Sequence, residues 1–275
     1  MGICQLPERI KPIQPGTNKR LKNQSFKLLP VLFLISIYGM VSAQSNNDAA
    51  TRFFRGTATV TTKGLSTFPN LTLGKPAAIL DLSMGGETFR FDPTLRFGLD
   101  GKPWTFIFWL RYQAVKNEKF GLRFGAHPAY SFKTIAVTQN GNTNNILRTQ
   151  QYLACEIAPV FNITKSISIG PYYIFSRGID KEAVQYSNYV TLMANFSSIN
   201  LSDKTFLRLI AQAYYLKMDK NDGFYVNSTL SLNRRNFPFS VSSTINKVID
   251  STLPGNDFLW NINLIYAFGG NYIKN

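Results

Sequence analysis

The sequence predicts an all-β fold: a transmembrane antiparallel up-and-down β-barrel of about twelve strands behind a cleaved signal peptide. Three observations carry that expectation. From Phe53 onward apolar and polar residues alternate with period two almost without a break, and no stretch keeps the 3.6-residue rhythm of an amphipathic helix. Charged residues are only 16% of the chain, against ~25% in ordinary soluble domains, while Phe (22) and Tyr (13) are abundant. A basic and then apolar segment precedes the alternating part.

The first element is that leader. Lys19, Arg20, Lys22 and Lys27 lead into an apolar run from Leu28 to Val41, and Val41-Ser42-Ala43 offers small residues for cleavage before Gln44. At ~14 residues, with Pro30 inside it, the run is short for a membrane-spanning helix. Residues 1–43 are therefore expected to be a signal peptide, and 44–52 a short periplasmic tail. Residues 1–20 are long for a basic n-region, which points to a translation start downstream of Met1. Removal of 1–43 leaves a formal charge of about +10, which favours anionic neighbours such as lipid headgroups, sugars or small solutes. No nucleic-acid partner is expected for an exported chain.

The barrel itself is expected over 53–275. The alternation places strands at 53–62, 77–84, 87–99, 102–114, 119–134, 149–161, 166–176, 187–198, 205–216, 223–232, 237–246 and 257–268. Over 119–133 the division is plain: Phe120, Leu122, Phe124, Ala126, Pro128, Tyr130 and Phe132 fall on one face, and Arg123, Gly125, His127 and Ser131 on the other. Phe89, Phe91, Leu95 and Phe97 oppose Arg90, Asp92, Thr94 and Arg96 in the same way. Further apolar sets are Trp104, Phe106, Phe108, Leu110 and Tyr112, and Phe258, Trp260, Ile262, Leu264, Tyr266 and Phe268. Most segments approach the ~9 to 11 residues that cross a bilayer when tilted.

The connections alternate in length. Those at Gly85-Gly86, 115–118, 162–165, 199–204 and 233–236 are short, and those at 62–76, 137–147, 177–186, 217–222 and 247–256 are longer, with a tight Asp100-Gly101 hairpin as the exception. Short periplasmic turns, longer external loops and an even strand count belong to membrane barrels. A soluble barrel or sandwich gives the same alternation with its apolar side inward. Against it stand polar faces built of Gly, Ser, Thr and Asn rather than a Lys/Glu coat, and aromatic residues at strand ends that suit interfacial girdles, among them Trp104, Tyr112, Tyr130, Tyr215, Trp260, Tyr266 and Phe268.

The stretch from Leu80 through Met84-Gly85-Gly86 to Phe91, and the closing Leu259-Trp260-Asn261-Ile262-Asn263-Leu264-Ile265-Tyr266-Ala267-Phe268, resemble bacterial outer-membrane β-barrel proteins. The resemblance is architectural and carries no functional motif. It implies location in the outer membrane of a Gram-negative cell. It also implies contact with outer-membrane lipid and lipopolysaccharide, and insertion by the barrel assembly machinery, for which Phe268 is a candidate signal.

Hairpin registers yield the candidate site. A two-residue turn at Gly85-Gly86 sets Asp81 across from Arg90 and Leu80 across from Phe91. The Asp100-Gly101 turn sets Phe97 against Trp104, Leu95 against Phe106 and Arg90 against Arg111. A three-residue loop at 116–118 sets Arg111 against Arg123. The result is a row Asp81, Arg90, Arg111, Arg123. Like charges directly opposite destabilise a sheet, so compensation is expected from Asp92, diagonally near, and from Glu156. Arg96 shares the polar face, and Arg208 with Tyr152 is placed on the opposite wall. Trp109, Tyr172 and Ile210 are expected to narrow the bore.

This lumen charge row has two readings: a structural network filling the lumen, or a basic constriction that makes a porin-like channel for small anionic solutes or acidic saccharides. A third class, a non-conducting barrel that docks partners through its external loops, fits the Asn, Gly, Thr and Ser of those loops. An acyl hydrolase is the least favoured, because His127 and Ser131 on one strand lie ~13 Å apart at strand rise, beyond the reach a base and nucleophile need. No enzymatic activity is expected. One His and two Cys exclude a multi-residue His/Cys metal site and a disulfide framework, and no cofactor is expected.

Overall fold

A flat sheet of alternating strands ends in two unpaired edges, and a bilayer tolerates neither, so the sheet must close. In the computed structural model, which describes residues 51–139 and 142–273, it does. The strands are β1 (Thr51–Thr61), β2 (Ala77–Gly85), β3 (Phe89–Gly98), β4 (Pro103–Lys116), β5 (Phe120–Gln139), β6 (Asn142–Asn162), β7 (Ile167–Gly178), β8 (Tyr186–Asn200), β9 (Thr205–Met218), β10 (Asn221–Arg234), β11 (Phe239–Ser251) and β12 (Phe258–Ile273). Each pairs antiparallel with its sequence neighbours, and β1 closes on β12 with Thr57 opposite Ala267. The expected leader over 1–43 and the tail residues 44–50 lie outside the described residues.

Orientation is read along any one strand. In β12 Phe258, Trp260, Ile262, Leu264 and Tyr266 are exposed, whereas Leu259, Asn261 and Asn263 are buried. Phe54, Phe124, Leu153, Leu192, Leu230 and Val241 continue the apolar exterior around the wall. A soluble barrel would reverse this division, so the outer surface is built to meet hydrocarbon. Cys155 is exposed on that same outer surface.

The ends differ from expectation at the loop side. Residues expected as a loop at 137–147 continue the β5–β6 ladder, with Ile135 opposite Ile146 and Gln139 opposite Asn142. Those at 217–222 form a tight turn in which Asp219 takes a positive φ of 54° and Met218 faces Asn221. Polar loop composition hides strands that have left the membrane, because alternation is enforced only where one side meets lipid. β5 and β6 are 20 and 21 residues long. At ~3.4 Å per residue and ~45° tilt they rise about 48 Å, against ~30 Å of hydrocarbon. Their hairpin therefore stands out of the bilayer on the side opposite the chain ends, and short turns on the other side mark the periplasm.

Candidate functional site

Turn chemistry sets which polar side chains meet in the lumen. The β2–β3 hairpin closes through the Gly86 N–H donating to the Phe89 carbonyl at 2.9 Å, and Gly85 takes a φ of 138° that side chains avoid. The two-residue turn does not form, and the register slides by four positions: Asp81 faces Thr94 rather than Arg90, Leu80 faces Leu95 rather than Phe91, and Gly85 faces Arg90. An even slide keeps both faces as expected.

Between β3 and β4 the expected pairs Leu95–Phe106 and Arg90–Arg111 hold, but a bulge after Arg96 sets Phe97 against Pro103. Trp104 is the extra residue, and the bulge re-aims it. Instead of joining an exterior girdle it is 3% exposed, donates Nε1–H to the Leu71 carbonyl at 2.7 Å and lies beneath the Arg96 guanidinium. The β4–β5 turn closes through the Asn117 N–H donating to the Phe120 carbonyl at 2.9 Å rather than as a three-residue loop, and with a second bulge, between Gln113 and Val115, this sets Arg123 opposite Gln113 and Arg111 opposite Gly125. Gly125 in turn faces Glu156. The row across the wall is thus Arg90, Arg111, Gly125, Glu156. A Cβ on Gly125 would sit 2.9 Å from the Glu156 carboxylate; the missing side chain is what lets Glu156 lie across β5 and reach Arg111.

Three guanidiniums share two carboxylates there. Arg90 Nε and Arg111 Nη1 donate to Asp92 Oδ2 at 3.0 and 2.8 Å. Arg111 Nε and Arg123 Nε donate to Glu156 Oε1 at 2.9 and 3.0 Å. Arg111 Nη2 reaches Glu156 Oε2 at 3.4 Å, completing a fork. Ser83 donates to Asp92 and Tyr172 to Glu156. The Glu156 side chain is 0% exposed, so leaving it without partners is costly. Trp109 supports the network from the side, with the Arg111 guanidinium 4.6 Å from its ring centre and His127 edge-on at 4.0 Å. The compensation demanded by adjacent like charges is therefore met by Asp92 and Glu156, one net positive charge remaining.

The other candidate residues stand apart from this cluster. Asp81 accepts the Thr94 hydroxyl at 2.6 Å. Arg208 is exposed toward the short-turn end, bonds the Ser197 carbonyl at 3.3 Å and covers the Phe206 ring. Arg96 has no carboxylate within 4.0 Å among the described residues.

One element of the site was not anticipated. Residues 62–76, expected as an external loop, turn into the lumen from the outer end. Gly64 N–H bonds the Lys75 carbonyl and Leu73 N–H the Gly64 carbonyl, both at 2.9 Å, cinching the base, and a 3-10 turn at Pro69–Leu71 forms the tip. Trp104 holds the Leu71 carbonyl, Tyr214 reaches the Thr67 carbonyl at 3.4 Å, and the Phe68 ring packs on Tyr189 with centroids 6.0 Å apart. The signal was present: Leu65, Phe68, Leu71 and Leu73 are too apolar for a solvated loop. Below the loop is a cavity of about 450 Å³ bordered by Phe68, Trp109, His127, Tyr172, Tyr189 and Arg123.

The facing wall is neutral apart from Arg208 at its short-turn end. Tyr189, Tyr214, Leu216, Met218 and Tyr225 form a buried cluster, with Tyr214 and Tyr225 stacked at 4.8 Å. Around it Tyr214 donates to Asn246 at 2.8 Å, Asn263 to Ser242 at 3.0 Å and Asn261 to Thr61 at 3.1 Å.

No protein-family model matches the sequence, and no curated protein matches it. Solved structures match at low identity. An outer membrane channel from Pseudomonas putida F1 is 12% identical with a TM-score of 0.50, covering 83% of this chain and 98% of that one. The KdgM porin in complex with disordered oligogalacturonate is 9% identical with a TM-score of 0.47, covering 78% and 99%. OmpT, an outer membrane protein of Vibrio cholerae, is 10% identical with a TM-score of 0.39, covering 82% and 100%. The likeness to the first is one of fold. With the apolar exterior, it makes this chain an outer-membrane β-barrel, located in the cell outer membrane.

Proposed function

We propose that the barrel is a narrow channel with a preference for small anionic solutes, acidic saccharides among them. The observation that carries this reading is the imbalance in the lumen: Arg90, Arg111 and Arg123 share only Asp92 and Glu156, and Arg123 borders the cavity below the inward loop. A charged wall facing restricted water raises the local concentration of the opposite ion. The loop narrows the path, so conductance is small and solutes are screened by size as well as charge. Most of the charge is mutually compensated, so the preference for anions is modest.

Planar-bilayer recording of the refolded mature chain under a salt gradient tests this. Small unitary currents with a reversal potential displaced toward the anion are expected, and a cation-selective pore would overturn the reading. Lipid and lipopolysaccharide bathe the exterior, and the assembly machinery inserts the barrel.

The pinned loop favours a second reading, a closed barrel whose projecting β5–β6 hairpin meets a partner. Silence from the native protein, with currents appearing only in Trp104→Phe or a chain lacking 66–71, would support it. Neither reading uses catalysis. In support, the His127 ring is held against Trp109, and its Nδ1 meets no hydroxyl or thiol among the described residues. An esterase activity lost in His127→Ala would argue otherwise.

A further inference from the structure

The cavity beneath the loop holds polar atoms that the barrel does not satisfy. Among the described residues, Arg96 Nε, Thr105 Oγ1 and His127 Nδ1 are buried and have no hydrogen-bond partner, and all three residues line this one cavity. Buried polar groups without partners are rare and costly in a finished fold, so three around one void mark a place where a ligand completes the bonding. Thr105 is only 5% exposed. Arg96 faces Thr105 across the β3–β4 ladder, and its guanidinium is backed by Trp104 at 5.2 Å. No carboxylate of the described residues forms an ion pair with it, unlike Arg90, Arg111 and Arg123, and Asp81, diagonally across the β2–β3 ladder, is engaged by the Thr94 hydroxyl.

We propose that this chamber binds a small monocarboxylate with an aromatic body. The carboxylate takes the Arg96 guanidinium and the Thr105 hydroxyl, since a planar fork of N–H donors matches a carboxylate. The ring occupies the apolar remainder, between Phe68, Ile107 and Trp109. A volume of about 450 Å³ lies within the range of small-molecule sites, and a mostly apolar wall with few polar groups is their usual make-up. The inference goes beyond channel function: it concerns a binding site centred on Arg96 and Thr105 in the outer half of the lumen, in a cavity that Arg123 and Tyr172 of the Asp92–Glu156 network border on its other side.

The test is tryptophan fluorescence of the full barrel in detergent, with Trp260→Phe in the background so that Trp104 and Trp109 report. Benzoate is expected to give a saturable change. Benzyl alcohol, which keeps the ring without the charge, and acetate, which keeps the charge without the ring, are each expected to bind at least tenfold more weakly. Arg96→Gln, checked for native mobility on an unboiled gel, is expected to lose at least tenfold in benzoate affinity, and Thr105→Val severalfold. Equal responses to benzoate and benzyl alcohol, or to benzoate and acetate, would overturn the proposal without any variant. So would unchanged benzoate affinity in a folded Arg96→Gln. Binding is read without ion flow: anion currents without saturable benzoate binding would sink this inference and leave the channel standing, and the reverse result would do the opposite.

Discussion

The two halves of the lumen wall are polar by different means. From β3 to β7 the interior is ordered by ions: three guanidiniums, two carboxylates and the Tyr172 hydroxyl that closes on Glu156. From β8 to β12 it is ordered by neutral groups, with Tyr214, Asn246, Asn261, Asn263 and Ser242 bonded among themselves. Each neutral bond contributes about 1 kcal/mol and fails alone. The ionic wall is coupled, because one carboxylate serves several partners and its loss strands them all. On the proposed channel reading, selectivity belongs with the fragile half, and the other half is a tolerant support.

The sharpest contrast is expected at Glu156. Glu156→Gln leaves Arg123 without a carboxylate and halves the support of Arg111, and by analogy with broken buried pairs it costs about 3 kcal/mol. The midpoint of heat unfolding in detergent should fall clearly, and an unchanged midpoint would mean that the ionic wall is no more coupled than the neutral one. Gly125→Ala is expected next, at about 1 to 3 kcal/mol for overpacking, since its Cβ meets the Glu156 carboxylate at 2.9 Å. A stability matching native would show that Glu156 has another way to lie. On the neutral wall Tyr214→Phe removes one bond to Asn246 at 2.8 Å and is expected to cost about 1 kcal/mol, with ion selectivity unaltered.

Smallest is the effect of ion pairs outside both walls. Lys75 holds the Asp100 carboxyl below its ordinary range by a hydrogen bond, and Lys116 does the same for Glu87. A lowered folded-state value stabilises above the ordinary carboxylate pKa and is lost as pH falls through the lowered one. Heat unfolding of Asp100→Asn should therefore lie slightly and evenly below native from pH 7 to pH 5, and the gap should close in acid below about pH 4.

Much of this was legible because lipid enforces alternation. Wherever one face met hydrocarbon, as in Phe89 to Phe97 or Phe258 to Tyr266, strand and face followed directly from the residues. The Arg90–Arg111 pair also followed, since the Asp100-Gly101 hairpin keeps its expected register there. What escaped was set by backbone detail that alternation does not encode. The bulge at Trp104 moved one aromatic indoors, and the Asn117–Phe120 turn closure with the bulge at Ala114 shifted Arg123 by two positions. The Gly86–Phe89 closure slid Asp81 away from Arg90. The inward loop escaped because length and position mark a connection as external, whereas its apolar residues Leu65, Phe68, Leu71 and Leu73 show what it packs against only once the barrel is closed around it.

The most direct measurement is the reversal potential of two opposite charge changes in the same network, recorded in planar bilayers under a salt gradient. Arg123→Gln is expected to move the potential away from the anion, and Glu156→Gln to move it further toward the anion, with Tyr214→Phe on the neutral wall as the unmoved reference. Identical potentials for Arg123→Gln and Glu156→Gln would contradict a lumen whose ionic wall selects what passes.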